Sequence, residues 1–288
     1  MISRQNTVLL NEGLLDQLPV IPISSRCCLA FYSSCRTISR SIVKSVVQTL
    51  VDYTPDDESI DQENLTNSIM ISGLVQGANE VATAMLRSFC NVTAHEYSKR
   101  FIDEVINASD LEGVASVSCV IVRDLITCIR DCNEVVCDSP SPLPTPTITL
   151  FSQLTRTKPG TEENEMMNYI EKAISSRMRI LPVELKSTMK EVIGSVLKVF
   201  AKEVCEEIRA NVCYDYQLQN VVVNMSFIMT MVGELVKDDT DVMTLMEEVV
   251  YSTYDRCYEP SSMDETKQRE MVENGIELYK DSITVEEY

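Results

Sequence analysis

Tryptophan is absent from this chain, histidine occurs once, and glycine occurs only 8 times in 288 residues. A single histidine, His95, excludes metal sites that draw on several imidazoles; a di-iron carboxylate bundle, for example, wants Glu-x-x-His twice. No nucleophile motif accompanies His95, so we assign it a surface or helix-capping role beside Thr93. Scarce glycine argues against loops that cradle phosphates and against tightly turned β architectures. Uninterrupted apolar runs of about 18 residues, enough to cross a bilayer, are also missing. The nearest approach, Leu218 to Val236, is interrupted by Gln219, Asn220, Asn224 and Glu234 and reads as a buried helix. The first residues lack the charged-then-apolar pattern of a secretory signal. We therefore expect an intracellular protein, cytoplasmic or nuclear.

Acidity dominates what is present. The chain carries 25 basic and 44 acidic residues, a net charge of −19. That disfavours nucleic acid, whose backbone needs clustered Lys and Arg, and broad adhesion to anionic membranes. Partner proteins with basic surfaces suit it better. The first 49 residues depart from this trend, holding Arg4, Arg26, Arg36, Arg40 and Lys44 against Glu12 and Asp16. A basic, nearly acid-free stretch from Leu18 to Val51 also fits organelle targeting, with a removable N-terminus as the alternative. Methionine is abundant, at 14. We read Met225, Met229, Met231, Met243 and Met246 as core filler, with a groove lining as their second use.

The 11 cysteines are odd in number and scattered, as suits reduced thiols. Cys119, Cys128, Cys132 and Cys137 lack the paired spacing of a zinc site, and Cys27, Cys28 and Cys35 form no C-x-x-C couple. Acidic pairs such as Glu206-Glu207 read as a solvated face together with Glu203. We expect no catalytic residues, no cofactor and no metal.

Prolines set the organisation. Pro140, Pro142, Pro144 and Pro146 alternate with other residues, and no helix survives such a run. On either side the apolar periodicity is helical. Ile38, Ile42, Val46 and Leu50 recur every four residues, and Arg36, Arg40 and Lys44 form a separate row. A long helix is expected over 64–90. Thr93-x-x-Glu96 and Ser109-x-x-Glu112 read as capping boxes that start helices at about 94–106 and 110–137. Beyond the prolines, Thr147 to Phe151 is β-branched and apolar, suited to dock in extended form or to lie on the surface. Helices are then expected from 161, from 183 to about 216, over 218–237 and 240–258, and after Ser262. Ala78-Asn79-Glu80-Val81 and Ala201-Lys202-Glu203-Val204 hint at an internal repeat, loosely echoed by Asp131-Cys132-Asn133-Glu134 and Arg256-Cys257-Tyr258-Glu259.

The fold expectation is all-α: an irregular multi-helix bundle or repeat-like stack, in two helical halves joined by a Pro-rich linker. Its parts are a segment over 1–24, a helical domain over 25–138, a linker over 139–160, a second helical domain over 161–260 and an acidic tail over 261–288. In the linker, Ser139, Ser141 and Thr145 each precede proline and are candidate phosphorylation sites. In the tail, Glu286, Glu287 and Tyr288 are candidate partner-binding residues. This ending resembles the EEY/EEF termini of α-tubulin and end-binding proteins, which CAP-Gly domains capture. The resemblance implies a flexible acidic tail that presents carboxylates and a ring to a pocket.

The function these features point to is a non-enzymatic helical interaction protein, an adaptor, scaffold or regulator. The alternative is a helical bundle that buries an apolar ligand. If the tail mediates capture, deleting Glu286 to Tyr288 abolishes retention on an immobilised CAP-Gly domain while the far-ultraviolet dichroism stays unchanged.

Overall fold

A computed structural model describes residues 24–52, 69–107, 115–136, 145–151, 181–182 and 185–286. Within these the protein is an all-α multi-helix bundle. Helix α1 spans Ser25–Thr37, passes through a π turn at Ile38–Ile42 and continues as α2, Val43–Asp52. Helix α3 covers Ile69–Phe101 and ends in a π turn at Ile102–Ile106. Helix α4 covers Cys119–Asp131 and ends in a third π turn, Cys132–Val136. Then follow α5 (Met189–Ala210), α6 (Asp215–Val236), α7 (Thr240–Arg256) and α8 (Glu265–Glu286).

Side chains fix most helix starts. Ser24 accepts from the Cys27 N–H at 3.3 Å, Thr188 from Glu191 at 3.3 Å and Asp239 from Val242 at 3.3 Å. The sequence leaves Thr240 and Asp239 as alternative caps for α7, and Asp239 takes the role. The start of α8 differs from expectation: Asp264, not Ser262, accepts from the N–H groups of Thr266 at 2.9 Å and Lys267 at 3.2 Å. Those donors hold its carboxyl below the usual range. The Thr93 box fails as a start. Helix α3 runs straight through it, because neither proline nor glycine interrupts the chain there and the pattern is equally compatible with a helix interior. Ser109 and the helix expected from 161 lie outside the described residues. The echo between 131–134 and 256–259 joins unlike conformations, a π turn in one case and extended chain in the other.

Helix α6 is the centre. Nearly all its apolar side chains are buried, with Met225, Met229 and Met231 fully so, which makes these methionines core filler. It is long and apolar enough to cross a membrane, yet 72% of its most apolar window is buried inside the protein. The polar residues that interrupt it have defined tasks. Asn224 accepts from the Ser118 N–H at 2.9 Å and donates to the Ser116 carbonyl at 2.9 Å. Thr230 and Ser226, one turn apart, receive the extended segment 145–151. The Thr149 N–H donates to Thr230 Oγ1 at 3.0 Å and the Phe151 N–H to Ser226 Oγ at 3.1 Å. Gln268 of α8 closes the set, donating to the Phe151 carbonyl at 3.1 Å and to Ser226 Oγ at 2.9 Å. The residues after the proline run thus dock, the first of the two fates their β-branched character allowed.

The rest of the bundle packs around this helix. Helix α5 lies against α3 on one side and α7 on the other. Phe101 and Phe200 meet edge to face at 5.3 Å across the α3–α5 contact. A two-residue parallel bridge pairs Cys213 with Cys257 and Tyr214 with Tyr258, tying together the ends of α5 and α7. Gly275 lets α8 come close: a Cβ there would stand 2.7 Å from Val117 Cγ2 and 3.0 Å from Phe227. One contiguous apolar core includes Phe89 and Ile129 from before the proline run and Val204 and Phe227 from after it.

Replacing Asn224 by Ala strands the Ser118 N–H and the Ser116 carbonyl without their partner. A loss of about 2–4 kcal/mol in unfolding free energy is expected, measured by urea titration, with the far-ultraviolet spectrum retained.

Candidate interaction surface

The N-terminal helix pair carries the candidate site. Helix α1 buries Cys28, Leu29 and Tyr32 and packs along α3, which buries Ala82, Leu86, Phe89 and Cys90. Arg36 donates to the Tyr32 hydroxyl, lies 5.4 Å over its ring and reaches the Val136 carbonyl at 3.5 Å. This fixes the inward face of α1. The opposite side is apolar too. Phe31 is 59% exposed, Ile38 41%, Ile42 50% and Val46 52%.

The four-residue spacing of Ile38, Ile42 and Val46 correctly marks a helix, but this face looks outward. The π turn explains part of the difference. It takes one more residue than an α turn, so the face that continues inward after it is not the one an unbroken helix would present. Ser39, of that turn, is buried in their place. Arg36, Arg40 and Lys44 each stand two positions from this row, about half a turn round the helix, so the basic row lies on a different side, with Arg36 turned inward. Helix α3 adds two exposed apolar residues, Leu74 and Val81.

Other candidate residues are dispersed. His95 is 72% exposed, with Nδ1 at 3.4 Å from Glu203 Oε2. Ser98 donates to the same carboxylate, so Glu203 links α3 to α5. Glu206 pairs with Lys202 at 3.8 Å, and Glu207 accepts from Asn211 at 3.0 Å. Among the described residues no three His, Cys, Asp or Glu side chains are grouped to hold a metal ion. Thr145 is exposed at the start of the docked segment, while Ser139 and Ser141 lie outside the described residues. Glu286 is the last residue of α8; its side chain, Glu287 and Tyr288 also lie outside them.

None of the described cysteines is disulfide-bonded. Burial pushes the Cys28, Cys90 and Cys213 thiols up, and Cys257 to about 11, so these are poor nucleophiles at neutral pH.

Comparison with known proteins gives one partial likeness. The chain is 27% identical over 114 residues to a vacuolar protein sorting-associated protein 51 homolog from Danio rerio. The match covers 39% of this chain and 14% of that protein, so the chain spans a small part of its relative. No protein-family model matches the chain. No solved structure matches it.

Thiol labelling checks the packing of this layer. Cys27 and Cys119, both exposed, react with a maleimide in the native protein; Cys28, Cys90 and Cys128 react only after unfolding.

Proposed function

We propose that this chain is a non-enzymatic helical interaction protein of intracellular protein sorting. Its exposed apolar row on α1 and α2 takes the apolar stripe of an amphipathic helix from a partner protein. The observation that carries the reading is the exposed row Ile38, Ile42 and Val46 at helical spacing on this helix run. An apolar row at helical spacing accepts the apolar stripe of a second helix. Burying each such side chain contributes up to about 1.5–3 kcal/mol before the costs of association.

The partial likeness to a vacuolar protein sorting-associated protein supports the sorting context. The acidic remainder of the chain offers a second kind of contact, to partners with basic surfaces. The apolar-ligand alternative has less support, because the cleft between α1, α3 and α4 is lined largely by charged groups.

The test is a triple substitution, Ile38→Glu, Ile42→Glu and Val46→Glu. These side chains are well exposed, so the melting temperature stays within a few degrees of the parent. Affinity purification with the parent recovers partners that the variant loses. Cross-linking in the parent complex maps to an amphipathic helix of the partner. Equal recovery of every partner by parent and variant refutes the reading.

A further inference from the structure

A cleft of about 340 Å³ lies away from the apolar row, between the N-terminus of α1 and the bodies of α3 and α4. Phe89, Thr93, Glu96, Tyr97 and Arg100 supply one wall from a single face of α3, at helical spacing. Arg123, Asp124, Thr127 and Asp131 supply the facing wall from α4, and Ser25 and Arg26 complete the mouth.

Two buried polar atoms in this cleft have no partner: Thr93 Oγ1 and Asp124 Oδ2. Thr93 is 3% exposed and Asp124 5%. The Thr93 hydroxyl stands out among helical threonines. Those of Thr37, Thr83, Thr127, Thr244 and Thr253 each donate to the carbonyl four residues back, whereas that of Thr93 does not. Asp124 is firmly placed. Its Oδ1 pairs with Arg100, and its carbonyl accepts from the Tyr97 hydroxyl at 2.7 Å. Only Oδ2 is left over. Buried polar atoms without partners cost about 1–3 kcal/mol each, so a pair of them on two residues that line one cleft points to a ligand that reaches them as it settles.

We propose that this cleft binds a small zwitterion, a primary ammonium group a few bonds from an anionic oxygen, as in a free amino acid or a phosphoethanolamine headgroup. The ammonium donates to Asp124 Oδ2. The anionic oxygen accepts from Thr93 and faces the guanidinium groups of Arg26 and Arg123. Charge balance selects a neutral dipolar molecule over an ion. Arg26, Arg100 and Arg123 offset Glu96, Asp124 and Asp131 within the lining, so a ligand of net charge would leave one sign uncompensated. Burial also holds the carboxyls of Asp124 and Asp131 above their usual range, against the pull of Arg100 and Arg26 respectively; a bound ammonium would bring them back down.

The test uses the full chain and two probes, an equimolar mixture of L-amino acids and glycerophosphoethanolamine, each at millimolar concentration. One probe is expected to raise the melting temperature by a few degrees, and the responsive probe names the source. N-acetylated amino acids and amino-acid methyl esters, or the N-acetylated headgroup, give no shift. Thr93→Val melts no lower than the parent, because it removes an unpaired buried hydroxyl, yet it binds the probe about tenfold or more weakly by calorimetry. Asp124→Asn weakens binding as well, but it also disturbs the pair with Arg100, so Thr93→Val decides. Absence of any shift with both probes overturns the proposal, and a cleft that holds only ordered water gives that result. A shift that Thr93→Val leaves intact overturns it too.

Discussion

Helix α6 is apolar on every side but for a few polar residues, and the burial of those few constrains the rest of the molecule. Asn224, Ser226 and Thr230 cannot be left dry without partners, since an unpaired amide or hydroxyl in a core costs more than a formed hydrogen bond returns. Their partners are backbone groups of two extended segments, 115–118 and 145–151. Extended chain needs just such partners, because it has no ladder of its own to satisfy its N–H and C=O groups. Each requirement meets the other. Asn224-Met225-Ser226 also spells an N-x-S glycosylation sequon, but its amide is committed inside the core.

The clamp sets the places of the other layers. Ser118 is bonded to α6 and also caps α4, so the docking of one residue positions the next helix. Gln268 joins α8 to the segment after the prolines, and Gly275 lets α8 settle against Val117. On the far side, Gln217 at the start of α6 donates to the Ile106 carbonyl, anchoring the end of α3. Helix α3, about 50 Å long at 1.5 Å per residue, carries α1 along its outer half. The charged cleft is lined by Phe89 to Arg100, in the half of α3 nearest the end that the central clamp holds, and so lies apart from the apolar row.

Much of the fold was legible in the residues. Apolar periodicity and the poverty of glycine point to an all-helical chain. The expected start at Thr240 or Asp239, and the reading of 218–237 as a buried helix, match the structure closely because strong local signals mark them. Thr93-x-x-Glu96 misled because the same letters serve a cap or a helix interior, and nothing local distinguishes them. The Ile38 row shows a different limit. Its spacing reveals a helix but not which face meets the core, and a π turn changes that face without leaving a mark in composition.

Composition and local pattern therefore determined the helical class and the basic character of the N-terminal segment, because these depend on neighbours along the chain. The tertiary structure alone decided which apolar face is exposed, that Asn224, Ser226 and Thr230 hold distant backbone segments, and that Thr93 and Asp124 face one cleft. Each of these rests on contacts between residues far apart in sequence: Asn224 is 106 positions from Ser118 and Thr230 is 81 from Thr149. Whether a buried polar atom finds a partner is a property of what packs against it, and one-dimensional spacing does not carry that information.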